Sequence, residues 1–89
     1  HLKDFRIAVD PYGVGCVVTG TPLGTGSMDI GSVFAALDAA NRRCNVILEH
    51  WLPWQGSFEA TLPLEQSWLE QTVKEARRWV PYNMNGEAK

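Results

Sequence analysis

The apolar positions of the chain follow strand-like patterns first and helical spacing later. Residues 1–9 are rich in β-forming side chains and predict a strand, and residues 15–19 predict a second one. Between them, residues 10–13 read Asp-Pro-Tyr-Gly, with proline and glycine where a turn needs them. The pattern predicts a β-hairpin.

A loop and a helix are expected next. Residues 20–27 contain three glycines and cannot be regular structure. Asp29 then stands where a helix N-cap would be, and residues 41–43 end the predicted helix. Its apolar positions recur on one helical face, at Ile30, Val33, Phe34, Leu37 and Ala40.

A short apolar run, residues 44–49, follows this helix after almost no loop and suits a buried parallel strand. After another loop, Thr61 is the predicted N-cap of a second helix, and Pro63 would lie in its first turn. Its predicted apolar face carries Leu69, Val73, Ala76 and Val80. Residues 1–80 form the predicted domain, and residues 81–89 a C-terminal tail.

Two βα units in series imply parallel strands. Two such strands alone leave open edges and a poorly covered face, so the pattern predicts further strands elsewhere. The chain also opens with His1 inside a predicted strand. We therefore expect an upstream portion, and a trimmed chain is the alternative.

Composition and charge narrow the classes of partner. A net charge of −2 argues against nucleic acid and anionic membrane surfaces, which select a basic face. No apolar run approaches the roughly 20 residues of a membrane span, and no signal peptide is visible. Cys16 and Cys44 form no Cys-x-x-Cys motif, which predicts two buried thiols in a reducing, cytoplasmic compartment.

Two residues at predicted strand ends are candidates for chemistry. Glu49 ends an apolar strand, and active sites of α/β folds lie beyond such ends. A carboxylate there needs a cation, a metal or hydrogen-bond donors, and a structural salt bridge or helix cap is the alternative. With His1 on a neighbouring strand, it could bind one divalent ion, Mn, Co, Zn or Mg. Such an ion stabilises an enediolate.

Three motifs in order resemble the closing signature of the sugar isomerase/epimerase family. They are His-Leu-Lys-Asp at residues 1–4, Gly-Thr-Gly-Ser-Met-Asp at residues 24–29, and Ile-Leu-Glu at residues 47–49. Members are xylose-isomerase-like (β/α)₈ barrels. The resemblance covers residues 1 to about 80. It implies an α/β chain that forms the last two βα units of a TIM barrel, strands 7 and 8 with their helices, and a hairpin insert after the first strand.

The resemblance also implies roles for individual residues. His1 and Glu49 match metal ligands, and Glu49 matches a catalytic carboxylate that moves the substrate proton. Two further ligands of the family, a Glu and an Asp from the preceding strands, are not in this chain. Arg6 lies near the position of an arginine that contacts substrate hydroxyls, which makes it a candidate for substrate binding.

Two further patterns resemble a subgroup of sugar-acid enzymes. Residues 20–24 read Gly-x-Pro-x-Gly, and residues 49–54 read Glu-x-Trp-x-Pro-Trp, as in the 3-oxo-isoapionate decarboxylase-like subgroup. Loss of CO₂ from a 3-oxo acid leaves an enediolate, so the same metal could serve. Trp51 could stack on a sugar ring or on a partner subunit, and anchoring of the loop is the alternative.

The remaining motif residues have two interpretations each. Lys3 and Asp4 are strand neighbours and point to opposite faces; either could serve a site or a structural ion pair. Gly24 and Gly26 could bring backbone N–H groups to a phosphate, or only allow a tight turn before the helix.

Three functions are consistent with these features. The first is a divalent-metal-dependent carbohydrate isomerase or epimerase that works through an enediolate on a small sugar or sugar acid. The alternative is a metal-dependent decarboxylase of a 3-oxo sugar acid. A second alternative is a non-catalytic small binding module, in which His1 and Glu49 are incidental. A homo-oligomer is compatible with all three.

Overall fold

The computed structural model describes residues 1–80 and contains two strands followed by two helices. Strands β1 (Asp4–Val9) and β2 (Cys16–Thr21) pair antiparallel, with Asp4 opposite Thr21 and Val9 opposite Cys16. The predicted hairpin is confirmed, and its second strand runs two residues further than the pattern indicated.

The hairpin projects from the rest of the chain. Gly13 and Gly15 adopt φ angles of 72° and 82° in its turn, a region that only glycine enters without strain. Both faces of the distal half are open, since Val9 is 75% and Tyr12 90% exposed. Only the base of the hairpin, at Asp4 and Thr21, is buried.

Helix α1 (Ile30–Ala39) begins where the sequence predicts. The Asp29 carboxylate accepts hydrogen bonds from the backbone N–H of Ser32 at 3.1 Å and from its hydroxyl at 2.6 Å. These bonds favour the ionised form and lower the pKa of Asp29. Ile30 is buried and Phe34 packs against the core, whereas Val33 is 40% exposed, so the predicted apolar face is confirmed only in part.

Helix α2 (Phe58–Trp79) begins four residues before the position predicted from a cap at Thr61. Ser57 is its N-cap, because the Ser57 hydroxyl accepts the N–H of Ala60 at 3.1 Å. The prediction of Thr61 as the cap is wrong, since Thr61 lies in the first turn and its hydroxyl donates to the Ser57 carbonyl. Pro63 consequently lies inside the helix.

The buried face of α2 also differs from the predicted one. Ala76 is buried as expected, but Leu69 is 48% exposed, and Thr72 is buried instead at 1% exposure. The Thr72 hydroxyl accepts the N–H of Leu23 at 3.1 Å and is hydrogen-bonded to His50 at 2.7 Å. A polar side chain with both partners supplied can be buried at little cost, and apolar spacing does not reveal it.

The core of the chain is small and its shape is flat. The Cα atoms extend over 46 × 34 × 15 Å. The buried hydrophobic residues of the described chain are Leu2, Leu23, Ile30 and Ala76.

Both cysteines are exposed, so the prediction of buried thiols is wrong. Within residues 1–80, no helix is both long and apolar enough to cross a membrane.

The predicted fold class, two parallel βα units forming strands 7 and 8 of a TIM barrel, is contradicted. The sheet of the described residues is an antiparallel pair, and residues 44–49 form no strand. A single parallel bridge joins Leu2 to Leu48. A parallel strand pair needs several successive bridges. Leu2 supplies only one, because the chain pairs with β2 from Asp4 onward. The predicted tail, residues 81–89, lies outside the described residues.

The Asp4 side chain organises the loop between β2 and α1. It is 1% exposed, and its two oxygens accept four backbone N–H groups. The donors are Phe5 at 2.8 Å, Gly24 and Gly26 at 3.0 Å each, and Met28 at 3.1 Å. A buried carboxylate is tolerated when its lone pairs are satisfied in this way. The glycine N–H groups are thus committed to Asp4, and the phosphate interpretation of the loop finds no support.

Candidate functional site

The bridge between Leu2 and Leu48 builds the candidate site. The N–H of Leu2 donates to the Ile47 carbonyl at 2.7 Å, and the N–H of Glu49 donates to the Leu2 carbonyl at 3.0 Å. Side chains alternate along extended backbone, so Leu2 and Leu48 point to the core while their neighbours point away from it. His1, Lys3 and Glu49 therefore project on the same side.

The Glu49 carboxylate is the centre of the site. Its Oε2 lies 2.7 Å from Nδ1 of His1, and its Oε1 lies 3.1 Å from Nζ of Lys3. Each carboxylate oxygen thus has its own nitrogen partner. The Lys3 and Glu49 side chains are 30% and 36% exposed, and that of His1 is 62% exposed. Ion pairs this open to water contribute little stability, so the group is accessible without being a major element of the fold.

Trp51 completes the group from the following loop. The Lys3 ammonium lies 5.0 Å from the centroid of the Trp51 ring, within the range of a cation–π contact. The backbone of Trp51 runs against Gly20 of β2, where any side chain would overlap the Trp51 carbonyl. Gly20 thereby lets the loop approach the hairpin closely, and the indole, 48% exposed, lies beside Lys3.

Arg6 is held elsewhere. Its guanidinium donates to the Thr25 carbonyl at 3.0 Å, on the glycine loop organised by Asp4. Among the contacts of residues 1–80, none joins Arg6 to His1 or Glu49. The structure thus brings three of the predicted site residues together and leaves Arg6 apart, so its role in substrate binding stays a prediction.

His50 also faces away from Glu49. Its Nε2 lies 2.7 Å from the Thr72 hydroxyl, and its ring meets the edge of Trp68 at a centroid distance of 5.7 Å. It borders an open depression of about 390 Å³ between the 48–50 segment and α2. The lining residues are Leu48, His50, Leu62, Glu65, Gln66 and Leu69. This depression does not include the Glu49 side chain.

The site contains two side chains that could coordinate a metal ion. His1 offers an imidazole nitrogen and Glu49 a carboxylate oxygen, the start of a mixed nitrogen and oxygen set. Within residues 1–80, no group of three or more His, Cys, Asp or Glu side chains is placed to hold a metal ion. The pair therefore fits part of a ligand set, and metal binding stays a prediction.

Lys3 is the member of the site that the sequence left undecided. The sequence signal for Lys3 is the alternation of side chains along residues 1–4, which places Lys3 and Asp4 on opposite faces of the chain. The structure confirms that separation, with Lys3 on Glu49 and Asp4 buried among backbone N–H groups. A direct Lys3–Asp4 ion pair is not among the contacts of the described residues.

Comparison with known proteins finds similarity to a decarboxylase. The chain is 38% identical over 82 residues to a 3-oxo-isoapionate decarboxylase of Pectobacterium atrosepticum. The match covers 92% of this chain and 30% of the length of that relative. No family model matches the chain, and no solved structure matches it significantly. The relative agrees with the predicted decarboxylase subgroup and gives no support to the isomerase or epimerase activity.

Proposed function

We propose that the protein carrying this chain is a decarboxylase of a 3-oxo sugar acid. The observation that carries this proposal is the 38% identity, extending over nearly the whole chain, to an enzyme named for that reaction. The chain spans 30% of the length of that relative, so the activity is proposed for the protein as a whole. The exposed group of His1, Lys3 and Glu49 is where we expect the substrate to bind.

The reaction sets requirements that these side chains fit. When the bond between the carboxylate and C2 breaks, its electron pair moves toward the 3-oxo group, and CO₂ leaves. The resulting enediolate carries negative charge and must take up a proton at carbon. Glu49 is our candidate for moving that proton, because its carboxylate is accessible and lies 2.7 Å from the His1 imidazole.

We also propose that His1 and Glu49 are ligands of a divalent metal. When bound, such an ion would polarise the 3-oxo group and stabilise the charge that develops on it. The support in this chain is the nitrogen and oxygen donor pair at one exposed point. Lys3 would lie beside that pair, with the Trp51 ring against its ammonium.

The direct test is an assay of the complete gene product on 3-oxo-isoapionate. We expect the protein to release CO₂ from this substrate. The CO₂ can be trapped as carbonate and quantified, or the product can be followed by proton NMR. Interconversion of ketose and aldose sugars without CO₂ release would favour the isomerase alternative. Binding of a sugar acid without turnover would favour the non-catalytic module, and neither result is compatible with the proposal.

A further inference from the structure

We propose that Lys3 binds an anionic oxygen of the substrate and makes the site selective for sugar acids over neutral sugars. This rests on the proposed function and extends it, because it names the residue that recognises the acid group. The relevant contacts are the ion pair of Lys3 with Glu49 and the position of its ammonium on the Trp51 ring.

These contacts hold the ammonium in place and leave it able to bind a ligand. A lysine ammonium has three N–H donors. The Lys3 nitrogen lies 3.1 Å from Oε1 of Glu49 and 5.0 Å from the centroid of the Trp51 ring. The Lys3 side chain is 30% exposed, so a remaining donor can reach solvent or a ligand. Its long chain is therefore ordered before the ligand arrives, which lowers the entropic cost of binding.

The charge of Glu49 disfavours an acidic ligand wherever no metal neutralises it. Glu49 is negatively charged when ionised and would repel a carboxylate that approaches His1 and Trp51. Like charges brought together cost free energy, and an ammonium between them reverses the sign of that interaction. Of the side chains that touch Glu49 in the described residues, Lys3 is the one that carries an ammonium group.

The probe is erythronate, a four-carbon sugar acid without the oxo group, compared with its neutral counterpart erythritol. Binding of each to the complete gene product is measured by isothermal titration calorimetry at neutral pH. We expect Lys3→Met to weaken erythronate binding about 10- to 100-fold, the value of a charge-assisted hydrogen bond, without affecting erythritol. Lys3→Arg should retain the preference for the acid. Lys74→Met, at an exposed position of α2, is the matched control and should bind as the wild type does.

A double variant separates binding from simple neutralisation of Glu49. Wild type and variants are titrated with EDTA present, so that loss of a metal ligand does not enter the comparison. If Lys3 acts only by cancelling the charge of Glu49, Lys3→Met combined with Glu49→Gln would recover erythronate affinity, which would overturn the proposal. We expect the affinity to stay low. Equal loss of both probes, unchanged binding in Lys3→Met, or a Lys3→Met protein that does not fold would also overturn it. Selective binding of erythronate through Lys3 in a protein without decarboxylase activity would uphold this inference and refute the proposed function alone.

Discussion

Nδ1 of His1 lies 2.7 Å from Oε2 of Glu49, although the two residues are 48 positions apart. One backbone bridge, between Leu2 and Leu48, is what aligns their segments. The contact therefore depends on a small number of hydrogen bonds and on the burial of Leu2 beneath it. Because both side chains are open to water, the pair itself contributes little to stability.

Glu49→Gln tests the central residue of the site. Glutamine keeps the shape of the side chain but loses the charge and the ability to take up a proton. We expect kcat for CO₂ release to fall by at least about 100-fold, with little change in unfolding, because the group is partly exposed. Glu70→Gln, on the exposed side of α2, is the control and should retain full activity. Normal turnover by Glu49→Gln would refute its catalytic role.

Asp4→Asn tests the carboxylate that holds the glycine loop. An amide can accept at one oxygen only, so two of the four donating N–H groups lose their acceptor. We expect the free energy of unfolding to fall by about 2–6 kcal/mol, at about 1–3 kcal/mol for each unsatisfied donor. Urea unfolding measures it, and Asp38→Asn on the exposed face of α1 provides the control. Equal stability of the two variants would contradict this role of Asp4.

Gly26→Ala tests the close approach of the loop to Asp4. A Cβ at this position would overlap Oδ1 of Asp4 and the Phe5 carbonyl, although the φ angle of Gly26 is not in the positive region. Gly13→Ala has open space but a φ of 72°, so it reports backbone strain alone, about 1–2 kcal/mol. We expect thermal unfolding of Gly26→Ala at a lower temperature than that of Gly13→Ala. The reverse order would show that the loop can move away from Asp4.

Thr72→Val tests the buried hydroxyl on α2. Valine has nearly the same shape but leaves the Leu23 N–H without an acceptor and His50 without its partner. We expect a loss of about 1–3 kcal/mol in urea unfolding. Thr19→Val, at an exposed position of β2, should change stability by less than about 0.5 kcal/mol. A neutral Thr72→Val would mean that neither hydrogen bond contributes.

Asp29 gives a pH dependence with a defined sign. Its pKa is lowered in the folded chain by the hydrogen bonds from Ser32, so the ionised form favours folding. The contribution is fully present above the ordinary aspartate pKa of about 3.9 and is lost as the pH falls through the lowered value. We expect the stability advantage of the wild type over Asp29→Asn, followed by circular dichroism, to disappear on acidification. An advantage that persists at the lowest pH would contradict this assignment.

Local features of the fold could be predicted from the sequence because their signals lie within a few residues. The hairpin and the Asp29 cap depend on neighbours in the chain, and both are confirmed. The apolar composition of residues 44–49 predicts a strand, but strand formation requires a partner, which composition does not specify. The burial of Thr72 likewise depends on Leu23 and His50, which are distant along the chain.

The site was predictable in its residue types and less so in its geometry. Residue order indicated His1 and Glu49, and the structure brings them into contact. Residue type alone does not show whether Lys3 or Asp4 belongs to the site, since either charged side chain could serve there. The direction in which each side chain points decides it. Arg6 is close to His1 along the chain, but its guanidinium contacts the Thr25 carbonyl and not the group around Glu49.

The bridge between Leu2 and Leu48 closes a long loop that contains the hairpin and α1. The entropic cost of closing a loop rises with its length, whereas hairpins and helices form from local contacts within microseconds. The hairpin and both helices can therefore form before the two halves of the site meet. His1 and Glu49 should accordingly be among the last residues to reach their final arrangement during folding, and among the first to separate when the chain is partly unfolded.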